Sequence, residues 1–209
     1  APCIARYSSI ALAMRYWEDA RIVVQYDERE GLWKPLSKDE AEAQIATLLD
    51  ELIELKQVPD MERKVSTSLI KEIMYFLKLN CRLGKCALKA MQLPVVNGVL
   101  DLSGATPQLR AYRQEDCCTW KMGVPYDPNA KADRFLRELV RPALELPEDE
   151  FLLQCMWGSM LQQGNKAQRI FLIDGEGGSG KTTFISIFEF MLGMTLIGHL
   201  RTSLLAGRF

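Results

Sequence analysis

The chain has 209 residues, of which 48% are apolar and 25% are charged, a balance that allows a packed core and excludes extended disorder. Its formal net charge of -1 excludes a uniformly basic surface that wraps DNA, although a few side chains lining a pore could still grip a strand. The length suits one large domain or two modest ones.

The N-terminal part of the sequence predicts a helix, two strands and a second helix. Residues 1–20 have apolar side chains at mixed helical spacing, and residues 21–26 form a β-branched run typical of a strand. A return strand is expected from residue 32. Ser37-Lys-Asp-Glu40 has the form of a capping box and predicts the start of a helix that Pro59 ends.

A further helix is predicted over residues 65–79, and basic side chains follow it. Lys78, Arg82, Lys85 and Lys89 recur at steps of four, three and four residues, and Lys71 precedes them. They would share one helical face, a candidate phosphate-contacting strip, if the helix continued through Asn80 and Gly84. The favoured interpretation is an ordinary solvated face.

The pattern then changes to short strands. Residues 93–102 predict a β-hairpin with an Asn97-Gly98 turn. Further strands are predicted at residues 108–112 and 119–124, and further helices at residues 133–140 and 148–161.

A glycine-rich motif carries the clearest chemistry. Residues 175–182, Gly-Glu-Gly-Gly-Ser-Gly-Lys-Thr, match the pattern G-x-x-x-x-G-K-[ST] at every fixed position. The apolar run at residues 169–173 predicts a buried parallel strand before it, and residues 183–192 predict a helix after it. Strand, glycine loop and helix stand in the order of a P-loop.

Each position of the motif has a physical role. The four glycines are expected to curl the backbone with positive φ angles, so that amide groups and the helix N-terminus cradle phosphates. Lys181 is expected to reach the β- and γ-phosphates of ATP, and the hydroxyl of Thr182 to bind magnesium. The predicted nucleotide-binding residues are Gly175, Glu176, Gly177, Gly178, Ser179, Gly180, Lys181, Thr182 and Thr183, of which Lys181 and Thr182 take the catalytic positions.

The sequence predicts only half of a hydrolytic site. Hydrolysis needs an acidic strand end that holds magnesium and orients water, and usually an arginine. After Thr183 the one acidic residue is Glu189, which lies inside the predicted helix.

Cysteine and histidine offer weaker signals. Four of the six cysteines, Cys81, Cys86, Cys117 and Cys118, form an alternative zinc set whose spacing does not fit the common knuckles, and buried thiols are favoured. His199, the single histidine, is interpreted as a surface or loop residue.

Several motifs in one order resemble the phage/plasmid and poxvirus-type primase-helicase family, whose motor belongs to helicase superfamily three. The motifs are Asn-Gly-Val-Leu-Asp-Leu at 97–102, Tyr-Asp-Pro-Asn-Ala at 126–130, Arg-Phe-Leu at 134–136, Leu-Leu-Gln-Cys-Met-Trp-Gly at 152–158, the P-loop through Phe184, and Thr-Ser-Leu-Leu-Ala-Gly-Arg-Phe at 202–209.

The resemblance implies an ATP-driven replicative helicase of a phage, plasmid, virus or other mobile element. Such a helicase moves on single-stranded DNA as a homo-oligomer, expected to be a hexamer, beside a primase or other replication partner in the host cytoplasm. The second Walker motif, sensor asparagine and arginine finger have no counterpart here, nor does the upstream primase domain, so truncation shortly after the P-loop is expected.

The predicted fold is a mostly helical α+β accessory domain followed by the opening strand-loop-helix of an α/β P-loop NTPase domain. The accessory domain is expected over residues 1–130, with its hairpin region at 93–124, a helical lead-in over 131–164, and an incomplete ATPase domain over 165–209. No membrane-spanning segment is predicted. Alternatives are a nucleotide-binding interaction or oligomerisation module without its own hydrolysis, and a different P-loop ATPase.

Overall fold

The computed structural model describes residues 2–55, 65–84, 88, 91–144, 146, 148–162, 168–193 and 196–199. Strands in these residues are Met14–Trp17 (β1), Ile22–Asp27 (β2), Leu32–Leu36 (β3), Gln92–Val95 (β4), Gly98–Asp101 (β5) and Gln108–Arg110 (β6). Helices are Pro2–Ala11 (α1), Lys38–Glu54 (α2), Thr67–Asn80 (α3), Asp133–Phe135 (α4), Glu148–Met160 (α5) and Lys181–Leu192 (α6). The chain is therefore a mixture of helices and small antiparallel sheets.

The chain divides into two compact units. The first comprises Ala1–Ala87 and Tyr112–Thr119, and the second comprises Leu88–Ala111 and Trp120–Phe209. The short segment at 112–119 belongs to the first unit because the backbone N–H of Trp33 donates to the carbonyl of Cys118 at 2.8 Å. The indole N–H of Trp33 also donates to the carbonyl of Gln114 at 3.1 Å.

The first unit packs three helices with an antiparallel sheet of order β1-β2-β3. The helix predicted over residues 1–20 is too long, because it ends at Ala11 and Met14 begins β1 instead. Ala13 has a positive φ of 48°, which breaks the helix, and Met14 pairs with Gln25 of β2. Tertiary pairing with β2 overrides the local helical spacing.

Helices α2 and α3 form where the sequence predicts them. The hydroxyl of Ser37 accepts the backbone N–H of Glu40 and the Glu40 carboxylate accepts that of Ser37, so the capping box is confirmed. Helix α2 ends at Glu54, and Pro59 lies outside the described residues. The buried faces of the two helices share one core with side chains from α1 and the sheet, including Ala5, Met14, Val23, Ala41, Ile45, Leu49, Ile73 and Leu77.

The continuous basic face after α3 is not formed. Helix α3 ends at Asn80, because the next backbone groups bond to β1: Tyr16 donates to the carbonyl of Cys81, and Leu83 donates to that of Tyr16, each at 2.8 Å. Arg82 is thus held beside β1 and leaves the helical register of Lys78. Lys85 and Lys89 lie outside the described residues.

The second unit contains an antiparallel sheet of order β4-β5-β6. The predicted hairpin is present, but its two-residue loop is Val96-Asn97, because Val95 pairs with Gly98. Gly98 opens β5 at a φ of 147°, and a Cβ there would lie 2.2 Å from the carbonyl oxygen of Arg110. Only glycine allows β6 to approach this closely.

The strand predicted at residues 119–124 is wrong. This segment has no regular structure, but two of its residues bond to the edge of the hairpin. The N–H of Met122 donates to the carbonyl of Pro94 at 2.8 Å, and that of Val96 donates to the carbonyl of Val124 at 3.1 Å. Proline has no N–H, so no regular ladder can run along this edge of β4.

Asn97 connects two motifs that are distant in sequence. Its side-chain amide donates to the carbonyl of Tyr126 at 2.9 Å, and its side-chain oxygen accepts the N–H of Tyr126 at 2.9 Å. The hairpin loop is thereby fastened to the Tyr-Asp-Pro-Asn-Ala segment at 126–130. The asparagine of this motif therefore has a structural role.

Asn97→Ala is expected to lower the free energy of unfolding by about 1–2 kcal/mol, because two hydrogen bonds at an exposed position are lost. Asn129→Ala, on the exposed part of the same segment, is the control and should change it by less than about 0.5 kcal/mol. Urea denaturation followed by circular dichroism measures both. Equal effects of the two substitutions would contradict a specific role for the Asn97–Tyr126 pair.

Helices precede the glycine loop, but the strand predicted at residues 169–173 is not formed. Helix α4 continues as a π-turn at Leu136–Val140 and a 3-10 turn at Arg141–Ala143, which confirms the predicted helical segment. Residues 168–176 have no regular structure, and Ile170 and Leu172 are 96% and 91% exposed. A parallel strand requires a hydrogen-bonded neighbour, and none pairs with this segment among the described residues. No helix among all the described residues is long and apolar enough to cross a membrane.

Candidate nucleotide-binding site

The glycine loop at residues 175–180 curls back on itself before α6. Gly175, Gly178 and Gly180 have positive φ angles of 152°, 84° and 84°. Gly177 is not among the positive-φ glycines, so the prediction that all four glycines need this conformation is wrong for that position. A Cβ on Gly177 would meet no protein atom within 4 Å, so the backbone there borders open space.

The ammonium group of Lys181 lies inside this loop. Its Nζ donates to the carbonyl oxygens of Gly175 at 2.6 Å and Glu176 at 2.7 Å, and to the hydroxyl of Ser179 at 3.1 Å. A Cβ on Gly175 would lie 3.8 Å from the same Nζ and 3.3 Å from Ser179 Oγ. The loop therefore surrounds the ammonium group of Lys181 with three oxygen acceptors.

Helix α6 begins directly at the loop, as the sequence predicts. Gly180 is its N-cap residue, and Lys181 is its first helical residue. The side chains of Thr182 and Thr183 are exposed at this N-terminus, where free N–H groups and the helix dipole favour an anion. Gly193, with a φ of 85°, ends the helix.

An aromatic cluster fixes the position of the first turn of α6. The ring of Phe184 lies 4.9 Å from that of Trp157 and 6.3 Å from that of Phe135, measured between centroids. A Cβ on Gly180 would approach Leu139 Cδ1 to 3.0 Å, so the lead-in helix also touches the loop. The cluster borders a cavity of about 310 Å³ whose lining includes Phe135, Leu136, Val140, Leu153, Trp157 and Phe184.

Sequence reasoning did not single out this cavity. Phe135 and Trp157 occur within the motifs that carry the family resemblance, and Phe184 directly follows the P-loop. The sequence signal that could have indicated the cavity is the presence of one aromatic residue in each of these motifs. The cavity arises because helices α4, α5 and α6 bring the three rings together.

An ion pair involves Glu150, one of the residues that line this cavity. The guanidinium of Arg141 donates to both carboxylate oxygens of Glu150, at 2.9 and 3.2 Å. These hydrogen bonds hold the pKa of Glu150 below its usual value. A carboxylate whose pKa is lowered by folding stabilises the folded state above its unfolded pKa, and this contribution is lost as the pH falls through the folded value.

Glu150→Gln is therefore expected to lower the free energy of unfolding at pH 7, and the difference from the native chain should shrink below about pH 4. Glu148→Gln is the control, because it removes a charge from the same first turn of α5 without a described ion pair. Urea denaturation at pH 7 and pH 3.5 measures both. A pH-independent difference for Glu150→Gln would contradict the ion-pair origin.

The loop supplies few ligands of its own for magnesium. Magnesium in such sites is held largely by phosphates and water, with one or two protein oxygens, and Thr182 offers a hydroxyl at the correct end of the helix. No group of three or more His, Cys, Asp or Glu side chains in the described part of the chain is placed to hold a metal by itself.

The remaining candidate residues are the single histidine and the cysteines. His199 is 70% exposed, and its Nε2 lies 3.9 Å from the carboxylate of Glu189. No disulfide joins Cys81, Cys117 or Cys118 among the described residues, and Cys86 lies outside them. The motif at 202–209 also lies outside them.

Comparison with known proteins concerns the region before the loop. Residues 4–143 are similar to a protein family described as D5 N terminal like, a match that covers well over half of the chain. It ends ahead of the glycine loop at Gly175, so the family similarity and the loop geometry are independent observations. No curated protein matches the chain.

Proposed function

This chain belongs to the D5 N-terminal-like family, the N-terminal region of primase-helicase proteins in DNA replication, and from that premise we propose that it binds Mg-ATP for a replicative helicase. The helicase would serve a phage, plasmid, virus or other mobile element. The complete protein would couple ATP hydrolysis to movement on single-stranded DNA. This chain would contribute the accessory region and the nucleotide-binding loop.

The observation that carries the proposal is the position of Lys181. Its ammonium group is bonded to three oxygen atoms of the glycine loop, and α6 points its N-terminus into the same space. On nucleotide binding, Lys181 would exchange these oxygens for oxygens of the β- and γ-phosphates. Because a compact ammonium prefers charged phosphate oxygens to neutral carbonyls, the exchange favours the bound state.

The other residues of the loop would orient the phosphates. Backbone N–H groups around Gly178 and Gly180 would donate to phosphate oxygens, and open space beside Gly177 would allow their close approach. Thr182 would direct its hydroxyl toward magnesium, and Thr183 would contact the α-phosphate. Magnesium, when bound, supplies positive charge that offsets the charge of the β- and γ-phosphates.

The proposal for this chain is limited to nucleotide binding. Water activation needs a carboxylate at a strand end, and charge stabilisation usually needs an arginine. Glu189 lies in the third turn of α6 close to His199, and we assign it neither role. Hydrolysis and movement on DNA are proposed for the complete primase-helicase.

A second candidate function, an interaction or oligomerisation module, is favoured by exposed apolar side chains in the second unit. Phe151 and Leu152 of α5 are 70% and 63% exposed, and Phe190 of α6 is 74% exposed. Exposed apolar side chains provide an association surface when they form one contiguous patch. A homo-oligomer, expected to be a hexamer, would cover such side chains and is compatible with both functions.

Calorimetric titration of the 209-residue chain with ATP tests the proposal. We expect saturable binding at one site per chain that weakens strongly when magnesium is removed. Absence of binding at millimolar Mg-ATP would contradict the proposal. DNA-stimulated ATP hydrolysis by the longest native form of the protein then separates the helicase from the interaction module, which would bind nucleotide without hydrolysing it.

A further inference from the structure

An open cleft in the first unit is lined by three arginines and, among the described residues, by no carboxylate. Its volume is about 710 Å³, and the lining includes Arg6, Arg15 and Arg82 together with Cys3, Ser9 and Asn80. Arg6 lies on α1, Arg15 lies on β1, and Arg82 lies two residues after the end of α3. The lining carries three positive charges, one of them paired with Glu18, in a chain whose formal net charge is only -1.

Arg15 is held rigidly in this cleft. Its Nη1 donates to the carbonyl oxygens of Ser9 at 2.6 Å and Met14 at 2.8 Å, and its guanidinium carbon lies 5.7 Å from the ring centroid of Trp33. The side chain is half-buried, and no carboxylate pairs with it in the described part of the chain. A partly buried guanidinium with only neutral acceptors favours binding of an external anion.

Arg82 and Arg6 line the same cleft as Arg15 and could also bind an anion. The backbone around Arg82 is fixed by the two hydrogen bonds to Tyr16, and its Nη1 lies 3.0 Å from both carboxylate oxygens of Glu18. This pair is exposed, so it is weak and can exchange for a stronger anionic partner. Arg6 is exposed on α1 and has no ion pair among the described residues.

We propose that this arginine cleft binds the phosphodiester backbone of single-stranded nucleic acid. The planar guanidinium matches the geometry of phosphate oxygens, and three of them in one groove can follow successive phosphates. The described residues of the lining include no aromatic ring on which a base could stack, so binding should depend little on sequence. The choice of nucleic acid among polyanions rests on the proposed function, whereas the cationic character of the cleft does not.

Fluorescence anisotropy of a labelled oligothymidylate, titrated with the 209-residue chain at several salt concentrations without nucleotide, tests this proposal. Arg6→Glu is the informative variant, because Arg6 is exposed and its loss removes no described contact. Arg29→Glu is its matched control, since it makes the same charge change at an exposed turn of the same unit outside the cleft. Mg-ATP binding is measured on the same preparations.

We expect Arg6→Glu to weaken oligothymidylate binding by about 10-fold and to make the logarithmic salt dependence shallower by about 0.7, with little change for Arg29→Glu. A mixed-sequence oligonucleotide should bind within about 3-fold of oligothymidylate. Arg82→Ala, which also leaves α1 and its packing intact, should weaken oligothymidylate binding as well.

Other outcomes overturn the proposal in distinguishable ways. If Arg6→Glu and Arg29→Glu weaken oligothymidylate binding equally, the oligonucleotide binds elsewhere on the chain, and the cleft is excluded as its binding site. If polyglutamate competes as well as oligothymidylate at equal charge, the cleft binds acidic peptides instead. If the native chain binds Mg-ATP but no oligonucleotide at low salt, this inference fails while the proposed nucleotide-binding function stands.

Discussion

Replacement of Lys181 with alanine is expected to weaken Mg-ATP binding about 100-fold, which corresponds to about 2.7 kcal/mol of binding free energy. In the unliganded loop the Lys181 ammonium is bonded to the carbonyls of Gly175 and Glu176 and to the hydroxyl of Ser179. Without this charge the phosphates keep their backbone N–H donors but lose their cationic partner. Charge-assisted contacts of this kind are the stronger part of phosphate recognition.

Calorimetric titration measures this loss, and the fold is monitored separately. Lys181→Ala also removes three hydrogen bonds within the loop, so the free energy of unfolding should fall by about 1–2 kcal/mol while the chain stays folded. Lys131→Ala, at an exposed position of the same unit, is the control and should bind Mg-ATP like the native chain. An unchanged dissociation constant for Lys181→Ala would exclude a P-loop function for residues 175–182.

Leu49→Ala is expected to lower the free energy of unfolding by about 2–5 kcal/mol, the usual cost of truncating a fully buried leucine. Leu49 is 0% exposed and packs in the core between α2 and α3 with Ile45, Ile73 and Leu77. Truncation removes the burial of several methyl groups and leaves a cavity that close-packed neighbours cannot fill.

The chain contains a matched control for this substitution. Leu55, at the C-terminal cap of the same helix, is 66% exposed, so Leu55→Ala should change the unfolding free energy by less than about 0.5 kcal/mol. Urea denaturation followed by far-ultraviolet circular dichroism compares the two. If both substitutions cost the same, the core assigned to the first unit would be wrong.

At residues 169–173, a segment that is apolar after Arg169, the local sequence pattern and the tertiary structure disagree. Its composition is typical of a buried parallel strand, yet Ile170 and Leu172 are almost fully exposed. A helix satisfies its backbone hydrogen bonds within one segment, so local sequence is enough to predict α6 at the loop. A strand cannot do so, and its formation depends on a neighbour that local sequence does not specify.

The sequence by itself determined features that depend on neighbouring residues. The capping box of Ser37 and Glu40, the glycine loop at 175–180 and the start of α6 at Lys181 all follow from side chains within a few positions of one another. The hairpin near Asn97 was also predictable, although its loop lies one residue earlier than expected. In each case a short-range hydrogen bond or a steric restriction is sufficient.

Only the tertiary structure decided which distant residues meet. Asn97 bonds to Tyr126 across 29 residues, and the Trp33 indole bonds to Gln114 across 81 residues. Arg15 and Arg82 share a cleft because the chain beyond α3 pairs with β1 when the helical register ends at Asn80. Such contacts depend on the packing of whole helices and sheets, whose energy is spread over many side chains and leaves no periodic signal in the sequence.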